Sequence, residues 1–268
     1  MKYGFIGTGC MGGALATACA KAIGPEDILL SNRSPEKAQA LAEKLGAIPA
    51  DNETITRDCD VIFLGVKPQT MAQMLLPLQP ILAGRRTPFV LVSMAAGVTI
   101  AALQDMAGGR YPVVRIMPNT ACAVGAGMTT YTCSAEVTDR QRQAVLDALA
   151  ASGLLEEIEE GLMGAASAVA GCGGAYACLF LEGLADGGVL CGLPRKKAQR
   201  MAAQMLLGMA TQALESDEHT GALKDAVCSP AGSTIAGIRK LESMSFRSAA
   251  MEAVIAAWER EREMQQQK

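Results

Sequence analysis

The chain has 268 residues, half of them apolar, enough to bury a sizeable core in one large domain or two ordinary ones. Its 24 basic and 27 acidic side chains leave a net charge of −3 with no run of five basic residues, so a nucleic-acid or anionic-membrane partner has no electrostatic footprint. Nine singly scattered cysteines, no C-x-x-C pair and one histidine make neither a disulfide framework nor a zinc site; no metal is expected, and a reducing cytoplasm is.

The chain runs from Met1 and Lys2 straight into an apolar strand and a glycine turn, too short an apolar stretch for a signal peptide. From residue 1 to about 160, short apolar runs alternate with helical patterns. YGFI (3–6), DILLS (27–31), DVIFLGV (60–66), FVLVS (89–93) and PVVRI (112–116) read as strands. ATACAKA (16–22), PEKAQALAEKLG (35–46), TMAQMLLPL (70–78) and VTIAALQDM (98–106) read as the helices between them. This alternation predicts right-handed βαβ units and a parallel sheet.

GFIGTGCMG, residues 4–12, places Gly7-x-Gly9-x-x-Gly12 after the first strand and before a helix beginning near Met11. Gly7 permits the tight turn, Gly9 lets backbone approach a pyrophosphate, and Gly12 allows close helix–strand packing. Residues Cys10 and Met11 open the helix whose N-terminus receives the negative charge. The second strand ends in Ser31-Asn32-Arg33-Ser34 rather than in the carboxylate that would bind a ribose 2′-hydroxyl. Hydroxyl, amide and guanidinium groups suit a 2′-phosphate, so NADP(H) is expected and NADH is less favoured. In such a sheet the ligand lies across the carboxyl ends of the strands, which turns Val66-Lys67-Pro68 and Ala95-Ala96 towards it. Lys67, among the expected cofactor contacts, reads equally as a catalytic lysine and as a strand-end residue before a helix begun by Pro68.

After about residue 160 the strand signals stop and Ala-, Met- and Leu-rich helical patterns continue to a polar run at 265–268. The expected organisation is α/β, a Rossmann-type parallel-sheet domain over 1–160 followed by an all-α domain over 161–268. Residues 161–181 carry no charge and are long enough in principle to span a bilayer, but five glycines dilute them and a helix buried inside protein is expected. The helices up to about residue 214 are apolar on most faces, which calls for a partner subunit. In SPAGSTIAG (229–237), Ser229 reads as a helix N-cap with Pro230 at the first helical position. Ala231, Gly232, Ser233 and Thr234 would then offer free N–H groups and two hydroxyls, enough to hold a carboxylate. An ordinary capped helix is the plainer alternative. His219, without a second histidine, reads as an exposed helix-start residue.

LKDAVCSPAGSTIAGIRKLE (223–242) resembles the C-terminal signature of pyrroline-5-carboxylate reductases, NADPH-dependent enzymes of the last step of proline synthesis. GxGxxG with Met-Gly, SNRS, GVKPQ (65–69), AAGVTI (95–100), RIMPNT (115–120) and EGLADGGV (182–189) extend the resemblance over nearly the whole chain. MPNTA, GCGGAY, HTG and SPAGST stand where that family usually reads MPNTP, GSGPAY, HPG and SPGGTT. The resemblance implies reduction of a cyclic imine acid by NADPH, with Thr234 at the imine nitrogen and the carboxylate on the N–H groups of Ala231 to Ser233 beside Ser229. Glu182 would bias the nitrogen towards its charged form, and Asn52 and Asn119 join the cofactor contacts. It also implies interlocked dimers, often gathered into larger rings. Two rivals are a β-hydroxyacid dehydrogenase, opposed by the absence of lysine from 161–181, and a non-catalytic NADPH sensor.

Overall fold

The computed structural model describes residues 1–266, so the last two residues of the polar run lie outside the described residues. Eight strands make one sheet: β1 (Tyr3–Ile6), β2 (Ile28–Ser31), β3 (Ile48–Pro49), β4 (Val61–Leu64), β5 (Val90–Ser93), β6 (Val113–Met117), β7 (Gly127–Cys133) and β8 (Gly153–Glu157). Their order is β3-β2-β1-β4-β5-β6-β7-β8, with the chain reversing direction across the sheet between β1 and β4. Seven helices connect them: α1 (Cys10–Ile23), α2 (Pro35–Leu45), α3 (Asn52–Asp58), α4 (Pro68–Leu75), α5 (Gln79–Gly84), α6 (Ile100–Ala107) and α7 (Asp139–Leu149).

The five strands expected from apolar runs, β1, β2, β4, β5 and β6, are present, parallel and buried along their length. Two apolar layers sandwich them, and the Phe5 and Phe63 rings stack across β1 and β4 at 4.3 Å. The sheet is not wholly parallel, because β7 pairs antiparallel with β6. Only residues 118–126 separate these strands, and they hold a single tight turn at Thr120–Val124. That is too short for a crossover, so the chain doubles back. Helix α7, closed at its start by a reciprocal Thr138–Gln141 capping box, then restores a parallel step from β7 to β8.

The chain forms two compact units, Met1–Cys172 together with the chain from Ala257 onward, and Gly173–Ala256. Helix α8 (Met163–Ala166) and the wide turn Ser167–Gly171 pack with the first unit. Asn119 Nδ2 ties that turn down by donating to Ala170 O at 3.0 Å.

The second unit holds α9 (Gly173–Leu190), α10 (Arg195–Glu215), α11 (Thr220–Ala226), α12 (Ser233–Ser243) and the first half of α13 (Phe246–Gln266). Helices α9 and α10 form a hairpin around Gly192, whose φ of 97° suits glycine alone, and an Arg195–Asp186 ion pair closes it. Phe180 packs on Phe246 at 5.4 Å, and the Tyr176 hydroxyl donates to Ala253 O at 3.1 Å. His219 caps α11, its Nδ1 accepting the Gly221 N–H at 3.0 Å.

Residues 160–190 are long and apolar enough to cross a membrane by length and composition, with only 11% of the apolar window buried. The expectation of a helix buried inside the protein does not hold for the single chain. The chain supplies too few neighbours to cover it: Val169 is 60%, Leu179 71% and Leu190 90% exposed.

Candidate active site and cofactor cradle

The carboxyl ends of β1 and β4 meet in a knot of three glycines. Gly7 leaves β1 with φ 97°, donating its N–H to Ser31 O at 2.9 Å, while Gly65 N–H donates to Ile6 O at 2.8 Å. A Cβ on Gly7 would lie 2.7 Å from the Gly65 carbonyl, and Cβ atoms on Gly12 or Gly65 would overlap the Gly7 oxygen. Such contacts have no room to relax, because every atom in them is backbone.

Gly9 differs: nothing lies within 4 Å of where its Cβ would be. It precedes α1, which begins at Cys10 and has no side-chain cap and no acidic residue in its first turn. The first N–H groups of this fourteen-residue helix therefore face an open, uncancelled positive end. Thr8 lies in the same turn with its Oγ1 buried and without a hydrogen-bond partner among the described residues. The open Cβ position, the bare helix start and the orphaned hydroxyl fit a dinucleotide pyrophosphate. Cys10 is exposed there, whereas Met11 packs against the core.

Beside the cradle, a cavity of about 710 Å³ is bordered by Ser31, Asn32, Arg33, Pro35, Asp51 and Asn52. Ser31 Oγ donates to Asn52 Oδ1 at 2.5 Å, which joins the end of β2 to the start of α3. Arg33 is exposed and has no ion pair among the described residues, so its guanidinium is free for an anion. Asp51 is committed to capping α3 through the Thr54 N–H at 2.7 Å, and that bond holds its carboxyl below the usual range. Lys67 is the N-cap residue of α4 and Pro68 its first helical position, as the sequence suggests. Ala95 and Ala96 stand in the turn after β5, closed by Val98 N–H donating to Ala95 O at 3.3 Å. Asn119 is anchored within the protein: its Nδ2 donates to Ala170 O, and its Oδ1 accepts Ala121 N–H at 3.2 Å and Met128 N–H at 3.4 Å.

In the second unit the start of α12 corrects the sequence reading. Ser229 is not the N-cap and Pro230 is not helical; the N-cap is Gly232 and the helix begins at Ser233. Residues 229–232 instead form a turn in which Gly232 N–H donates to Ser229 O at 3.0 Å and Ala231 adopts φ 57°. A left-handed residue cannot continue into a helix, so the cap moves three positions along. The Gly232 N–H is thereby spent within the protein, while those of Ala231, Ser233 and Thr234 have no partner among the described residues. A Cβ on Gly232 would overlap the Ser229 hydroxyl and meet the Ser229 carbonyl oxygen at 3.0 Å, so a larger residue here would have to turn the serine side chain aside. Thr234, the second residue of α12, and Glu182 in α9 are both exposed, and no hydrogen bond joins them among the described residues.

An alanine in the left-handed region costs about 1 kcal/mol relative to glycine. Ala231→Gly therefore raises stability by about that amount, read as a higher melting temperature of the intact protein.

Thr8 and Gly65 are cradle residues that the fingerprint spacing does not mark. The glycine before the final valine of DVIFLGV was the available signal for Gly65; for Thr8 there was none.

A family model described as pyrroline-5-carboxylate reductase dimerisation matches residues 160–264, and one described as NADP oxidoreductase, coenzyme F420-dependent, matches residues 2–97. The pyrroline-5-carboxylate reductase of Methanosarcina acetivorans is 39% identical over 98% of this chain and 97% of its own. That of Escherichia coli is 38% identical over 97% and 96%. Among solved structures, Plasmodium falciparum pyrroline carboxylate reductase with NADP bound is 34% identical, with a TM-score of 0.88 over 99% of this chain and 98% of that one.

Proposed function

Since the chain belongs to the pyrroline-5-carboxylate reductase family, we infer that it reduces 1-pyrroline-5-carboxylate to L-proline with NADPH, the last step of proline biosynthesis. The observation that carries this reading is 39% identity to such a reductase over 98% of the chain.

Reducing a cyclic imine requires a hydride on carbon and a proton on nitrogen, and NADPH supplies the hydride when bound. The chain's own work is positioning. The α1 start and Gly9 hold the pyrophosphate, and Arg33 with Ser31 and Asn32 holds the 2′-phosphate. The turns at Val66–Pro68 and Ala95–Ala96 shape the site at the strand ends. The Thr234 hydroxyl donates to the ring nitrogen. Free N–H groups at Ala231, Ser233 and Thr234 take the carboxylate, now without the Gly232 N–H that the Ser229 turn consumes. Glu182 stabilises the positive charge that builds as the ring nitrogen takes up its proton. The helical region matched as a dimerisation model self-associates, and a second copy covers its apolar faces. The nine cysteines, all free, support a cytoplasmic setting.

The test is NADPH oxidation by purified protein given 1-pyrroline-5-carboxylate, with proline measured as it forms. Turnover with stoichiometric proline is expected. A folded, NADPH-binding protein that turns over only six-membered cyclic imines, or none, overturns the reading. Arg33→Ala should weaken NADPH by about tenfold or more and leave NADH unchanged, since one charge-assisted bond to phosphate is removed. Paired cofactor titrations check it.

A further inference from the structure

The first unit contains a second cavity, of about 390 Å³, bordered by Thr99, Arg115, Glu160, Trp258, Glu261 and Arg262. Arg115 comes from the middle of β6 and its side chain is 3% exposed. Its Nη1 donates to Glu160 Oε1 at 3.1 Å, and the same oxygen accepts the Ile100 N–H at 2.7 Å. Fixed on that side, the guanidinium keeps Nε and Nη2 buried without a hydrogen-bond partner among the described residues. Glu261, on α13 and 7% exposed, keeps Oε1 in the same condition. Buried polar atoms are rarely left so, and here the unsatisfied donors and the unsatisfied acceptor belong to side chains that border one cavity.

The charges select the occupant. A simple anion drawn to Arg115 meets the carboxylates of Glu160 and Glu261. A simple cation drawn to those carboxylates meets Arg115 and Arg262. A molecule carrying both a carboxylate and an ammonium group satisfies both sets. The Nε/Nη2 edge is a fork that matches a carboxylate with two parallel bonds. Water takes about 30 Å³ per molecule, so the space admits something far larger than a single bridging water. The Trp258 ring, with the Arg262 guanidinium 4.8 Å from its centre, supplies an apolar wall.

We propose that this cavity binds a free α-amino acid, with its carboxylate on the Nε/Nη2 edge of Arg115, its ammonium on Glu261 and an apolar side chain against Trp258. Burial pushes the Glu261 carboxyl up, while Ser167 and Arg115 pull it down; an ammonium beside it acts in the same sense as those two. None of these residues belongs to the cofactor or substrate assignments above, so the proposal stands or falls apart from them.

Trp258 is the single tryptophan of the chain, so its fluorescence reports directly on this cavity. The full protein, free of NADPH and imine, is titrated with L-alanine, L-valine and L-leucine. Isocaproate and isoamylamine, which lack the ammonium and the carboxylate of leucine respectively, serve as half-ligands. A saturable change with at least one amino acid is expected, with each half-ligand about tenfold weaker or worse. Glu261→Gln and Arg115→Lys should weaken the amino acid by a similar factor, the lysine because it cannot form the two-bond fork. Retained NADPH binding shows that each variant is folded, and Glu261→Gln stands alone if Arg115→Lys does not fold. No saturable change with any of the three amino acids, half-ligands as tight as leucine, or a Glu261→Gln variant that binds like the parent would overturn the proposal.

Discussion

Thr234→Ala lowers kcat by about a hundredfold or more, the loss seen when one donor to a transition-state atom is removed, while NADPH affinity stays unchanged. The reason lies in what the chain offers near that residue. Thr234 is the second residue of α12, exposed, and its hydroxyl has no partner among the described residues, so it is free to serve a ligand. Deleting it leaves the helix start and its N–H groups intact, and carboxylate binding with them. The effect should therefore fall on kcat more than on KM. Thr234→Ser keeps the donor and should recover most of the rate; Thr234→Val keeps the shape and should not. Steady-state kinetics of the three variants decide it, and a fully active alanine variant would refute the role given to the hydroxyl.

Gly12→Ala should be the most damaging single methyl in the cradle. Its Cβ would overlap the Gly7 carbonyl oxygen, and Gly7 is itself held by Ser31 and blocked by Gly65, so the strain has no outlet. A loss of about 3 kcal/mol is expected from overpacking of this kind, together with loss of NADPH binding. Gly9→Ala separates the two consequences. Its Cβ enters open space, so the melting temperature should hold while the methyl occupies the pyrophosphate seat and NADPH binding weakens. Thermal melts and NADPH titrations on both variants check the contrast.

The cradle was legible in the sequence because its requirements are backbone requirements: each glycine of GFIGTGCMG stands where a side chain would collide or where space must stay open. The five parallel strands were legible for a related reason. Strands buried on both faces, such as VIFL and the VLV that opens VLVS, read as near-continuous apolar runs. The others carry weaker marks. GMTTYTC is rich in threonine and GLLEE ends in two glutamates, since both lie towards the sheet edge and need not be apolar throughout. Strand β3 has two residues, too few to show any period. The α12 start was misread because Ser-Pro is a common helix opening, and the left-handed turn at Ala231 leaves no signature in a residue that usually avoids it. The exposure of 161–181 in the single chain was not legible, because apolar content shows that a surface wants cover without showing which chain provides it.

The apolar helices of the second unit, with Leu179, Leu190, Leu214 and Met251 all more than half exposed in the single chain, make the protein's durability a function of how much of it is present. A subunit that hides such surface only against its own kind gains free energy with the logarithm of concentration. Dilution should therefore lower the melting temperature, and newly made chains should be most vulnerable to proteolysis and clumping before they meet. A co-expressed subunit that folds and assembles yet carries a dead site would be tolerated as a structural companion.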